Sequence, residues 1–203
     1  MNILIISHPR SGSTSLLNGL SDIYSLEKIY EPFNIDAYRW SEESQRNWIE
    51  QMKILLSEED STSNEFLNNK IVKVQAGNCD EWVWDNLHRF DKVIFLLRNN
   101  IKDVFESVSN ANRWGWDIKY NPTEDINYST SEGITRQYRI IIKFLRKLNN
   151  TDKIYTIWYD DLYKDFDTTK QTLLKLDSSF TEDDIYNIWN GYLNPSLKLR
   201  QND

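Results

Sequence analysis

Five short runs of this chain are dense in apolar residues: Asn2–Ile6, Ser25–Tyr30, Lys70–Gln75, Lys92–Leu97 and Lys153–Trp158. The first and fourth are apolar almost without interruption. A strand with one wet face alternates apolar and polar residues; a strand covered on both faces does not. Between the runs lie stretches with helical spacing: Ser13–Leu20, Glu42–Leu56, Asp80–Arg89, Ile101–Asn112, Ser131–Leu148 and Asp167–Leu176. This alternation predicts an α/β three-layer sandwich, a central parallel sheet with helices on both faces. No repeat or low-complexity linker divides the 203 residues, so one domain over 1–203 is expected. In the clearest helix, Ile134, Tyr138, Ile141, Ile142, Leu145 and Leu148 share a stripe and are read as core.

Composition narrows the chemistry. The chain is 39% hydrophobic and 27% charged, as a folded globular protein requires. No apolar run approaches the ~20 residues of a membrane span. The first strand starts at Asn2 or Ile3, leaving no room for a signal peptide, and a cytoplasmic location is expected. The one cysteine, Cys79, is read as a packing residue, and two histidines without a cysteine cluster give no structural zinc pattern. A net charge of −7 argues against a nucleic-acid surface and against a highly sulfated polymeric acceptor. An anion site on this protein must be a local concentration of positive groups.

Such a concentration follows the first strand. Ligands of doubly covered parallel sheets bind beyond the carboxyl ends of the strands, and there the chain reads Ser7-His8-Pro9-Arg10-Ser11-Gly12-Ser13-Thr14. A tight turn of small residues enters a helix, whose first N–H groups lie unpaired at the positive end of its dipole. The turn is built for an anion. It lacks both the first glycine and the lysine of the Gly-x-x-x-x-Gly-Lys phosphate loop of nucleotide kinases. Its fixed charge, Arg10, precedes the turn glycine, Gly12. A second arginine, Arg98, ends the fourth run, and Ser107 follows nine positions later in the next helix. Arginine grips phosphate oxygens as a fork and a serine hydroxyl adds a donor. The alternative is a strand-end cation paired with Asp103.

Together these segments resemble the sulfotransferases that use 3′-phosphoadenosine-5′-phosphosulfate (PAPS). Pro9-Arg10-Ser11-Gly12-Ser13-Thr14 is similar to that family's 5′-phosphosulfate loop. Arg98-Asn99-Asn100-Ile101-Lys102-Asp103-Val104-Phe105-Glu106-Ser107 resembles its 3′-phosphate motif. Tyr30-Glu31-Pro32-Phe33-Asn34 resembles a segment of bacterial and carbohydrate sulfotransferases, and Trp158-Tyr159-Asp160-Asp161-Leu162 the aromatic-acidic run before the final helices. One departure is present: Arg98 and Ser107 stand one residue further apart than the family's usual pair. Either the turn holds an extra residue or Asn99 takes over part of the contact.

The resemblance implies a sulfotransferase form of the phosphate-loop fold, moving the sulfuryl group of PAPS to a hydroxyl of a small molecule or carbohydrate and releasing 3′,5′-adenosine bisphosphate. It implies no metal. Sulfuryl transfer, like phosphoryl transfer, needs in-line positioning and stabilised charge on the leaving oxygen. Arg10 is the candidate for that charge, with Ser11, Gly12, Ser13 and Thr14 holding the 5′-phosphate and Arg98 with Ser107 the 3′-phosphate. A hydroxyl acceptor also needs a base. His8 sits inside the loop and His88 in a surface helix; Glu31, at the end of the second strand, is better placed, unless it pairs with Arg39 or caps the turn. Lys73 points to the same edge. Trp114 and Trp116, in an aperiodic stretch over Asn112–Ser129, are candidates for a lid, and the basic segment Ser196–Arg200 for a strap over the 3′-phosphate. A nucleotide kinase and a non-catalytic nucleotide-binding module are the rival readings. Acceptor identity and oligomeric state are not legible.

Overall fold

The computed structural model describes residues 1–32, 68–79, 81–114, 128–148 and 152–196. Their centre is a parallel five-stranded sheet of β1 (Asn2–Ser7), β2 (Glu27–Tyr30), β3 (Lys70–Gln75), β4 (Lys92–Leu97) and β5 (Ile154–Trp158), in the order β2-β3-β1-β4-β5. Each strand falls within one residue or two of an apolar run. The register sets Ser7 against Gln75 on one side and Leu96 on the other, so β1, β3 and β4 end together. After β1 the chain moves outward to β2, and after β3 it crosses to β4 on the other side. The loop after β1 therefore lies at the switch point, where a crevice opens beyond the strand ends.

Side-chain alternation divides the core into two layers. Ile3, Ile5, Ile71, Ile94, Leu96 and Ile157 face α1 (Ser13–Tyr24) and later helices. Leu4, Ile6, Val72, Val74, Val93, Phe95 and Leu97 face the opposite layer, with Val83 of α2 (Glu81–Asp85) and Ile141. This is the expected α/β three-layer arrangement. The second layer also holds α3 (Ile101–Trp114) and α4 (Tyr128–Lys147), which meet through Val104, Val108 and Ile134.

Two short helices escaped the periodicity. α5 (Tyr159–Tyr163) is a single turn, and α7 (Glu182–Ile188) passes directly into a π-turn over Trp189–Leu193. Between them stands α6 (Phe166–Leu176), one residue longer than expected and capped by Asp165, whose side chain accepts from the Thr168 N–H. α7 starts with a capping box of Thr181 and Asp184. In the α4 stripe, Ile134 and Ile141 are buried, but Ile142 is exposed, contrary to expectation. Positions 141 and 142 are neighbours about 100° apart on a helix, so one apolar stripe cannot seat both equally.

Among the described residues, no helix is long and apolar enough to cross a membrane. The expected helix over 42–56, Phe33, Asn34 and Arg39, the lid residues 115–127 with Trp116, and the basic segment beyond 196 all lie outside the described residues. The aperiodic stretch begins later than expected, because α3 continues to Trp114.

Candidate active site

The turn after β1 holds two residues in the left-handed backbone region. Gly12 has φ 78° and forms the N-cap of α1; Arg10 has φ 60°, uncommon for a side chain of that size. A methyl group on Gly12 would stand 2.5 Å from Tyr163 Oη, so glycine is required by space as well as by φ. Tyr163 closes the turn from below, its hydroxyl donating to the Gly12 carbonyl at 2.7 Å. Burial pushes the Tyr163 hydroxyl pKa upward, keeping it a donor.

No side chain caps the start of α1, and its first turn contains no acidic residue. The Gly12 carbonyl is used by the N–H groups of Ser15 and Leu16. Ser11 is fully buried, as is Ser7 at the end of β1, and neither hydroxyl has a hydrogen-bond partner among the described residues. Leaving buried hydroxyls unsatisfied costs about 1–3 kcal/mol each. Two such hydroxyls flank the turn that leads into this helix start, where N–H donors and the positive end of the helix dipole favour negative charge.

The two arginine motifs meet across this turn. Arg10 Nε donates to Ser107 Oγ at 3.0 Å, joining the first loop to α3. Arg98 instead pairs with Asp103 at 3.5 Å, the alternative weighed from the sequence. Its guanidinium lies 4.4 Å from the centre of the Tyr159 ring, which stacks on Tyr163 with centroids 4.3 Å apart. Arg98 Nε is buried and has no hydrogen-bond partner among the described residues. Asn99 is exposed.

Glu31 follows β2 with φ 40°. Its carboxylate is 2.6 Å from Lys73 Nζ of β3 and accepts from Gln75 Nε2 at 3.0 Å. Lys73 is itself nearly buried and donates to Thr14 Oγ1 at 3.0 Å. A line of contacts therefore runs from the end of β2 through Lys73 to the first turn of α1. Lys73 is not a surface lysine; it brings a second cation to the loop.

The two histidines separate clearly. His88 is exposed, its ring contacting the Asp85 carbonyl. His8 is buried between the β1 and β4 ends, with Nδ1 2.7 Å from the Pro9 carbonyl. A carbonyl only accepts, so Nδ1 carries the proton and Nε2 presents a lone pair. That lone pair receives the Arg98 backbone N–H at 3.1 Å and lies 2.8 Å from Tyr138 Oη. Desolvation, augmented by the Arg98 charge, lowers the His8 pKa to about 4 against the pull of its Pro9 hydrogen bond. His8 is neutral at physiological pH.

The sequence reading gives Tyr138 only a core role and Tyr159 and Tyr163 no site role, yet each carries a signal. Tyr138 is the member of the α4 stripe with a hydroxyl, and a buried hydroxyl demands a partner. Tyr159 and Tyr163 are four residues apart, the spacing that places two rings on one helix face.

No protein-family model and no curated protein sequence matches the chain. Solved structures do. The sulfotransferase domain of the Synechococcus PCC 7002 olefin synthase superposes with a TM-score of 0.57 at 17% identity, over 93% of this chain and 76% of that one. The chain has the sulfotransferase fold. The sulfotransferase domain from the curacin biosynthetic pathway matches with a TM-score of 0.53, 17% identity and coverage of 93% and 77%. Mouse sulfotransferase SULT7A1, complexed with PAP, matches with 0.54, 15% identity and coverage of 94% and 63%. Arg10, Lys73, Arg98 and Ser107 gather near the carboxyl ends of β1, β3 and β4 in this fold.

Proposed function

We propose that this chain, acting as a single domain, is a PAPS-dependent sulfotransferase whose acceptor is a hydroxyl of a small molecule or carbohydrate. The carrying observation is the Arg10–Ser107 contact, which brings two anion-binding motifs to one edge of a sulfotransferase fold. The residues there suit a nucleotide with phosphates at two ends. The uncapped start of α1, with Ser11, Gly12, Ser13 and Thr14, would hold the 5′-phosphate end. Ser107 and Arg98, whose Nε has no hydrogen-bond partner among the described residues, would hold the 3′-phosphate. The match to a mouse sulfotransferase complexed with PAP supports this choice of nucleotide.

When bound, PAPS supplies an activated sulfuryl group, and the protein's task is to place it and balance charge. Arg10 offers a guanidinium at the mouth of the turn, held in its unusual backbone conformation beside Ser107. Lys73 adds a cation anchored at Thr14. Positive charge fixed in advance stabilises the leaving oxygen without reorganisation at the moment of transfer. Glu31 accepts the proton of the acceptor hydroxyl, with Lys73 and Gln75 holding the carboxylate in orientation. No metal is assigned a role.

Calorimetry with 3′,5′-adenosine bisphosphate (PAP) and with Mg·ATP tests the reading. Tight binding of PAP supports it; tight binding of ATP alone sinks it in favour of a kinase. An acceptor screen with sulfur-labelled PAPS then separates an enzyme, which labels some hydroxyl compound, from a module that binds nucleotide and labels none.

A further inference from the structure

The loops after β1 and β4 are joined by side chains with no place in the transfer chemistry above. His8 spans the gap: Nδ1 donates to the Pro9 carbonyl inside the first loop, and Nε2 accepts from the Arg98 N–H in the second. Tyr138 reaches in from α4 to the same peptide. Its hydroxyl lies 2.6 Å from the Arg98 carbonyl, 3.3 Å from the Arg98 nitrogen and 2.8 Å from His8 Nε2. Its ring stacks on His8, with centroids 4.6 Å apart and an interplanar angle of 27°. Both backbone polar groups of Arg98 are therefore claimed by side chains. The Arg98 peptide sits just past β4, where ladder bonding has stopped and the chain would otherwise swing. Fixing that peptide fixes the origin of the guanidinium, whose other end is steadied by Tyr159 and Asp103.

We propose that His8 and Tyr138 are positioning residues that bind the two anion loops into one rigid unit, so that a ligand with phosphates at both ends gains affinity over a ligand with one. A loop pair that fluctuates would grip either phosphate but not both at once; ordering it on binding costs free energy that a prefixed pair does not lose. The inference rests on the sulfotransferase reading for its choice of ligand. It adds what that reading lacks: the device that sets the distance between the two phosphate sites. His8 is then neither base nor phosphate ligand, and its burial in the neutral form is what the task requires.

The test is calorimetry on the full chain with PAP and with 5′-AMP, which lacks the 3′-phosphate. Tyr138→Phe keeps the ring stack and deletes the hydroxyl; His8→Leu deletes both ring nitrogens; His8→Gln restores an acceptor near the place of Nε2. Losing one hydrogen bond of ~1.4 kcal/mol is tenfold in affinity. Tyr138→Phe and His8→Leu are expected to weaken PAP about tenfold and 5′-AMP less than about twofold, with His8→Gln recovering most of the loss. Equal losses for both nucleotides, or none, overturn the inference while leaving the sulfotransferase reading intact. A wild type that binds PAP no better than 5′-AMP removes the second phosphate site, and both proposals with it. Melting temperatures guard against misfolding: if His8→Leu does not fold, the near-isosteric Tyr138→Phe decides.

Discussion

Arg10 Nε donates a 3.0 Å hydrogen bond to Ser107 Oγ, tying together residues 97 positions apart in the chain. The contact couples the turn after β1 to the helix after β4. Arg10 holds it from a left-handed backbone conformation that costs an arginine about 1 kcal/mol or more. The same side chain therefore borders both proposed phosphate sites.

Arg10→Ala is expected to abolish turnover while weakening PAP binding by no more than about tenfold, because leaving-oxygen charge develops only in the transition state. Single-turnover kinetics beside calorimetry measure the two effects. Equal losses in rate and affinity would reduce Arg10 to a phosphate anchor.

Gly12→Ala combines a φ of 78° that side-chain-bearing residues rarely adopt with a methyl group 2.5 Å from Tyr163 Oη. The expected cost is about 1–3 kcal/mol of stability, with loss of nucleotide binding. Tyr163→Phe does not rescue it, because the ring carbon Cε2 is also only 2.7 Å from that methyl position. Urea unfolding of the single and double variants checks both statements.

Glu31→Gln keeps the shape of the side chain and removes its charge. If Glu31 is the base, sulfuryl transfer falls by about 100-fold or more, while PAP affinity changes little. Lys73→Met should weaken both, since Lys73 touches Thr14 of the phosphate turn as well as Glu31. An unchanged transfer rate in Glu31→Gln would leave the carboxylate only the task of orienting Lys73.

His8 provides a pH signature. Its folded-state pKa of about 4 lies below its ordinary 6.5, so the unfolded chain binds the proton more tightly. Stability from this group is complete above about pH 6.5 and is lost as pH falls towards 4, on the order of 3 kcal/mol in total. His8→Gln removes that slope. Denaturation midpoints at pH 7, 5.5 and 4.5 should therefore converge for the two proteins as pH falls; parallel curves would mean that His8 is protonated without cost.

The fold is largely legible in the sequence. Parallel strands covered on both faces must be apolar on both, so the runs around Ile3, Val72 and Phe95 announced themselves. Helices shorter than two turns leave no such trace: α5 offers too few positions for a period, and it carries Tyr159 and Tyr163. The turn from Pro9 to Thr14 is equally readable as a turn into a helix, because it needs glycine and small residues in a continuous stretch. The second motif is legible as an arginine and a serine nine positions apart, with Asp103 as the competing partner, but not in its tertiary contacts: Ser107 accepts from Arg10, while Arg98 lies against Asp103 and Tyr159.

By itself, then, the sequence determined what is periodic or contiguous: the strand set, the layers, and the turn from Pro9 to Thr14 that opens a helix without a cap. Only the tertiary structure decided which distant side chains share a partner. His8 with Tyr138, Lys73 with Glu31 and Arg10 with Ser107 are separated by 130, 42 and 97 positions; the strand register brings Lys73 to Glu31, and the packing of α4 and α3 against the strand ends brings Tyr138 to His8 and Ser107 to Arg10. Local spacing encodes dihedral preference and burial, whereas the meeting of two polar groups across a sheet depends on register, on twist and on the cost of leaving either one buried alone.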